Sequence, residues 1–441
     1  MRILIGVVSV LMALLGVAPY FVGGKIESAV HLYLDQYQVP GYQYSLDVDR
    51  GFGSSVLTYG FSLDPETLSS SYAMTQEQVD EMLEAFEQFE LNLYVQHGPL
   101  LTQNGFGLGL ADAYISIDGE QAPGLAKYLA IAGADYLLAA HGRMGFSGRG
   151  QAQFDVPAMQ YIDPEAAIAN SFSGFQGKTE FEDFGRYSST SAHSDGANFL
   201  AEDGTFIEVG SISITSEMTM DEQSVWFGQG GGNFLLDSIV VRSPEQDSSL
   251  SDLSIKFALF DGDTSETTDI EYSVGIAAFE TNDFGVEDAE LSIVYENLSN
   301  LAMRNYMDLM VTMPMGNEEA TQAALLEFAL AELPAALLLN PAIALPRIVF
   351  VHEGRTFDAN FRLAVDAQKL PVPVSFLRPD LLIPAVRADL NLDADEELVN
   401  DLMAWQAANS VDASFPQNPD YELTPEMRQT MIDQQASMSL G

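Results

Sequence analysis

Alternation of apolar and polar residues is the commonest pattern along this chain. Leu57, Tyr59, Phe61 and Leu63 alternate with Thr58, Gly60 and Ser62, and a period of two puts each set on its own face of a strand. With the turn-forming stretch at 51–55, the segment 42–63 predicts a β-hairpin. Leu91, Leu93 and Val95 repeat the alternation up to His97-Gly98-Pro99, where two breakers force a turn. From 143 to 295 period two prevails, with Gly, Asp and Ser between runs such as 205–219 and 234–241. Serial strands of similar length predict an antiparallel meander. Strands are expected again at 342–351 and 356–365.

Helical spacing appears between these runs. Thr75 to Gln78 form a capping box before Val79, Met82, Leu83 and Phe86, which share one helical face. Further helices are expected at 125–140, 298–310 and 319–338. After Pro379 only helix candidates are expected, at 396–408 and 425–437, with no strand signal. Strands and long helices never alternate as a nucleotide-binding βαβ fold requires. The predicted class is mainly β with inserted helices (α+β), an extended antiparallel meandering sheet after one N-terminal transmembrane helix.

That first helix rests on residues 3–24, which carry no charge and at about 1.5 Å per residue suffice to cross a ~30 Å hydrocarbon layer. A cleaved signal peptide is the rival. Its best small-residue pattern ends at Ala18, where Pro19 would open the mature chain, and a weaker one ends at Gly24. A retained anchor is favoured. Arg2 before the run, against Lys25 and Glu27 after it, leans toward a cytoplasmic N-terminus. No second apolar run of comparable length is expected, and the stretch 336–345 is short and broken by Asn340 and Pro341. The chain therefore divides into an anchor at 1–24, a β-rich body at 25–390 with a subdomain boundary near 141–170, and a helical tail at 391–441. A short amphipathic stalk helix at 26–37 links anchor to body. The expected setting is a bacterial inner membrane, crossed once, with the body in the periplasm.

Charge narrows the partners. The chain has 64 Asp and Glu against 18 Lys and Arg, for a formal net charge of −46. Nucleic acid is excluded as a partner, because phosphate backbones are bound mainly through Lys and Arg. The bland reading of this acidity is solubility. Absence of cysteine rules out disulfides and thiol chemistry without choosing a compartment.

Motifs for chemistry fail when tested. Gly177-Lys178-Thr179 resembles the end of a phosphate-binding loop, but Phe172 stands where its first glycine belongs and Glu180 to Asp183 would repel phosphate. A strand with a turn before it is expected there. The run 227–233, FGQGGGN, has Asn233 in place of the third glycine of a dinucleotide fingerprint and is expected to be a flexible turn or bulge. Asp261 to Glu266 begins like a calcium loop but lacks its glycine and its closing glutamate. His31, His97, His141, His193 and His352 are too scattered for a short-spaced metal site. No catalytic, cofactor or metal residue is assigned, and no cofactor is expected.

Four stretches together resemble the YdgA-like family of bacterial inner-membrane-anchored proteins of unknown function. They are the uncharged helix leading into Gly23 to Glu27, the turn at Arg50, Gly51, Phe52, Gly53, Ser54 and Ser55, the turn at His97, Gly98, Pro99 and Leu100, and Pro341 to Leu345 followed by Gly354. Gly53 between Phe52 and the serines departs from the family pattern, as does the Met- and Gln-rich tail. The resemblance implies fold and topology, with structural turn roles for Arg50, Gly51, Phe52, Ser54, Ser55, His97, Gly98, Pro99 and Gly354. The functional expectation is a non-enzymatic, membrane-anchored envelope protein whose apolar sheet face takes lipid, peptide or another envelope protein. Two alternatives stand beside it. One is a periplasmic carboxylate-dependent hydrolase with two close acids and a raised pKa. The other is a self-associating structural protein that forms a homodimer through an edge strand or a self-complementary face.

Overall fold

In the computed structural model the chain is described over residues 42–399, apart from 51–53, 64–74, 76–78, 81–88, 98–99, 122, 164–167, 202, 221–227, 245–246, 283, 313–317 and 371–381, and at Thr430. The expected anchor and stalk helix, His31, Gly51, Phe52, Gly98 and Pro99 lie outside these residues. So do most of the helix expected from 75, the greater part of that at 396–408 and, except for Thr430, that at 425–437.

The expected meander is present. β1 (Tyr42–Arg50) pairs antiparallel with β2 (Ser54–Leu63), and β2 with β3 (Phe89–His97). A separate ribbon joins β4 (Leu100–Leu101) to β5 (Gly107–Leu108). The main sheet resumes with β6 (Ala111–Asp118) on β3 and β7 (Tyr136–Met144) on β6. Four interrupted arms come next: β8 (Gly150–Val156) with β9 (Met159–Asp163), β10 (Ile168–Phe172) with β11 (Phe175–Glu182), β12 (Tyr187–Ser194) with β13 (Ala197–Leu200), and β14 (Phe206–Val209) with β15 (Ile212–Met220). Each arm breaks for two residues and then continues beside its neighbours. Gly174 and Gly196 stand in two of these breaks with φ of 91° and 113°, which side-chain-bearing residues rarely adopt.

β16 (Gly228–Arg242) spans the break by pairing with both β14 and β15 along one edge. β17 (Asp247–Asp261), β18 (Thr267–Thr281) and β19 (Gly285–Ser299) have 15 residues each, like β16, or roughly 50 Å of strand. β20 (Ala342–His352), β21 (Arg355–Val365) and β22 (Val386–Ala394) close the series. With each interrupted arm counted once, the twenty strands of this sheet make sixteen rungs. Each rung between β1 and β22 is paired with the one before and the one after it in sequence.

Helices are few. α1 (Pro123–Ala132) is shorter than the helix expected at 125–140. Gly133 takes φ of 68° and the Ala134 amide donates to the Leu129 carbonyl at 3.0 Å, a left-handed cap that stops the helix. The remaining residues of that stretch begin β7. α2 (Asn300–Thr312) and α3 (Glu318–Ala336) lie between β19 and β20, as the periodicity predicts.

Three expectations need correction. The stretch after Pro379 contains a strand, β22, in which Val386, Ala388, Leu390 and Leu392 alternate with Arg387, Asp389, Asn391 and Asp393. Gly228 to Asn233 form the first part of β16, with unbroken register to β15, so the glycines make neither a turn nor a bulge there. A Cβ on Gly232 would lie 2.5 Å from the Phe257 ring, so glycine leaves room for that aromatic side chain. A second apolar run also exists: the helical stretch Thr321–Leu339, with mean hydropathy 1.6, is long and apolar enough to cross a membrane. Chain geometry opposes a crossing. β19 and β20 pair in one sheet, so the insert must return to the side it left, and the 13 residues of α2 cover only about 20 Å.

Candidate functional site: an apolar face across the whole sheet

The registers of successive rungs align one apolar residue from each. Val48 lies opposite Leu57, Leu57 opposite Leu93, Leu93 opposite Ile115, and Ile115 opposite Ala140. The row continues through Phe154, Gly177, Ala192, Ile214 and Phe234. It then runs through Ile255, Val274, Leu291, Ile348, Ala359 and Leu392. Directly opposed residues share a face, so these sixteen form one line across the sheet. At about 4.8 Å between strands the line is roughly 70 Å long.

Residues one position away point to the other side. There Tyr114, His141, Gln153, Lys178, Ser191, Thr215, Asn233, Lys256, Ser273, Ser292 and Arg347 are opposed in the same order. That face is polar. It also carries the ion pairs of Arg347 with Glu290 at 3.0 Å and of Arg362 with Glu296 at 2.6 Å. The Arg362 guanidinium is held above its ordinary pKa, chiefly by its hydrogen bonds to Glu296.

Cover differs along the apolar line. Over its first half Leu91, Ile115, Ile117, Leu138, Ala140, Phe154 and Ala192 form a buried cluster, with Leu125 of α1 packed against it. A Cβ on Gly177 would fall 2.1 Å from the Phe154 ring; glycine there lets the ring lie across the neighbouring rung. Tyr59 also packs against this cluster, and burial pushes its phenol well above the usual tyrosine range. In the second half the line opens at Ile255, Val274, Leu291 and Leu392, while Ala359 stays buried. Ile255, Val274 and Leu291 remain 39%, 40% and 39% exposed, and Tyr272, Ile343 and Leu363 beside them are exposed as well. Isolated exposed apolar residues are ordinary, but a contiguous patch marks a binding surface.

The turn motifs fall at both ends of the strands, those at 50–55 and 97–100 at one end and Gly354 at the other. Ser55, opposite Arg50 on β1, is buried, and its Oγ lies 2.9 Å from Nε2 of His97. The hydrogen bond ties two distant motifs together. Ser54 lies opposite Gln96, whose Oε1 accepts the amides of Thr102 and Gln103. Gly354 stands in the β20–β21 turn with φ of 75°, after Glu353 with φ of 52°. Two successive positive φ angles describe a tight hairpin turn that favours glycine. The remaining members, Gly51, Phe52, Gly98 and Pro99, are outside the described residues.

The other polar clusters are hydrogen-bonded within the fold. Asp112, fully buried, accepts Arg143 Nη2 at 2.6 Å and Asn104 Nδ2 at 2.6 Å. Arg143 Nη2 also donates to the carbonyls of Asn104 and Gly105, closing the loop between β4 and β5. The calcium-like run is a knot: Asn297 Oδ1 accepts the Asp263 amide, Asn297 Nδ2 donates to Asp263, and the Asn297 amide donates to Asp269. Gly177-Lys178-Thr179 lies within β11, as expected for a strand. His193 meets Asp195, and His352 meets the Gly285 carbonyl. Among the described residues no group of three or more metal-ligating side chains forms. Among the described residues, the carboxyls of Asp203 and Asp366 are held below their ordinary range, first through the Thr205 amide and the Lys369 side chain respectively. A general acid needs the opposite shift.

A family model described as a bacterial protein of unknown function (DUF945) matches residues 1–441. The chain belongs to the DUF945 family. No curated protein and no solved structure matches it. In this DUF945 member the apolar line is assembled across rungs rather than concentrated in a motif. Alternation within each strand was visible in the sequence, but no sequence signal set the relative register of rungs far apart in the chain.

Proposed function

We propose that this DUF945 protein is a YdgA-like, membrane-anchored periplasmic protein that holds the acyl chains of lipid along the open half of its apolar sheet face. The observation that carries the proposal is the unbroken line of sixteen opposed residues, covered over its first half and solvent-facing at Ile255, Val274, Leu291 and Leu392, with Ala359 buried between the last two. A lipid tail suits such a surface because burial is favourable in proportion to apolar area and needs no directional partner. The head group would stay in water, beyond the strand ends. Residues 3–24 supply the anchor, and the exposed apolar helix Thr321–Leu339 is a further surface suited to a bilayer. The acidic, polar opposite face keeps the sheet soluble and discourages stacking.

The test is phospholipid bound to full-length protein purified from membranes in mild detergent. Wild type is expected to retain phospholipid through extensive washing, and Val274→Asp with Leu291→Asp to lose most of it. Equal phospholipid in both proteins, or none in wild type, would contradict the proposal.

A further inference from the structure

We propose that two copies of this chain join through the outer edges of β22, antiparallel and centred on Leu390, so that their apolar faces become one surface. Among the described residues nothing pairs with that edge, and β22 is exposed along nearly its whole length. An edge strand of nine residues without proline, lysine or a bulge keeps its backbone groups open to pairing, and its charges, Arg387, Asp389 and Asp393, restrict which partner it accepts. Shortly after β22 ends, Leu398 is fully buried.

The sequence of β22 selects the partner. Pairing about Leu390 puts Arg387 opposite the partner copy's Asp393, and Asp393 opposite its Arg387. It sets Asp389 against Asn391, and Val386, Ala388 and Leu390 against apolar residues. Two ion pairs form and no like charges meet. In this monomer Arg387 touches Asp389 at 3.2 Å with both side chains largely exposed, so it is free to turn outward. The outer edge of β1, also unpaired among the described residues, is a poorer match. Joined to a second β1 about Leu46 it gains no ion pair, and joined to β22 with Leu46 opposite Leu390 it gains one, Asp49 with Arg387, but sets Asp47 against Asp389. Even-numbered residues of β22 continue the apolar line, and the two-fold pairing opposes even with even, so both apolar faces look the same way. This inference does not depend on lipid binding.

The chain has no cysteine, which makes crosslinking selective. Residues opposed across antiparallel strands have Cα atoms about 4.5–5.5 Å apart, within disulfide reach. Oxidation of full-length Leu390→Cys in membranes should give a covalent dimer, whereas Leu392→Cys, set opposite Ala388, should give little. In sedimentation of the detergent-solubilised protein, Arg387→Asp and Asp393→Arg should each weaken the dimer at least tenfold, and the double exchange should restore it. Overturning results are a monomeric wild type, equal crosslinking at 390 and 392, or a double variant no better than the single ones. Pairing of β22 with the C-terminal tail or with a different protein would appear as one of these.

Discussion

Placing a carboxylate on the apolar line should cost very different amounts at its two ends. Ile115 is 8% exposed in the covered half and Val274 is 40% exposed in the open half. Full burial of such a side chain contributes about 1.5–3 kcal/mol, so Ile115→Asp forfeits nearly all of that. It also places an unpaired carboxylate among Leu93, Ala140 and their neighbours, at several kcal/mol more. The total, about 4–6 kcal/mol, approaches the whole stability of many domains. Val274→Asp forfeits about three fifths of the burial term, or roughly 1–2 kcal/mol, because the new carboxylate remains hydrated. Urea unfolding of the full-length protein in detergent, followed by far-ultraviolet circular dichroism, measures the contrast. Midpoints lowered equally in the two variants, or lowered more by Val274→Asp, would refute the division into a covered and an open half.

Other consequences follow from single contacts. Gly177→Val should lower stability by about 1–3 kcal/mol by overpacking against Phe154, and combining it with Phe154→Ala should cost less than the two changes added, which a double-mutant cycle reads directly. Asp112→Ala should cost about 3 kcal/mol, because it strands Arg143 and the Asn104 donors together; urea midpoints would show it. The Tyr136 hydroxyl donates to Asp155 at 2.6 Å, and that bond, with burial, raises its pKa from 10.0 to about 12. Its contribution is therefore complete below pH 10 and fades as pH rises toward 12. Tyr136→Phe should lose about 1 kcal/mol at neutral pH and show no such alkaline loss.

Much of the fold was legible because alternation is local. Leu57, Tyr59 and Phe61 announced β2, and the runs flanking Gly354 announced β20 and β21. What failed was local competition. Leu125 to Ala140 has apolar residues at spacings compatible with either period, and only the left-handed cap at Gly133 separates α1 from β7. Gly228 to Asn233 looked like a turn because glycine favours turns, yet the Phe257 ring needs the space over Gly232. β22 was missed although Val386, Ala388, Leu390 and Leu392 alternate cleanly, since the helical signal of the following residues masked a short strand. The candidate site was the least legible part. It exists only when Phe234 meets Ile255 and Ile255 meets Val274, and those registers belong to the sheet, not to any one segment.

The central claim is that lipid lies against one face of the long strands. A photo-crosslinking residue placed in turn at positions 270 to 276 of β18, in cells carrying the full chain, tests it most directly. Phospholipid adducts are predicted at Ile270, Tyr272, Val274 and Ile276 and not at Glu271, Ser273 and Gly275. Adducts without that two-residue period, or none at any of the seven positions, would contradict the account.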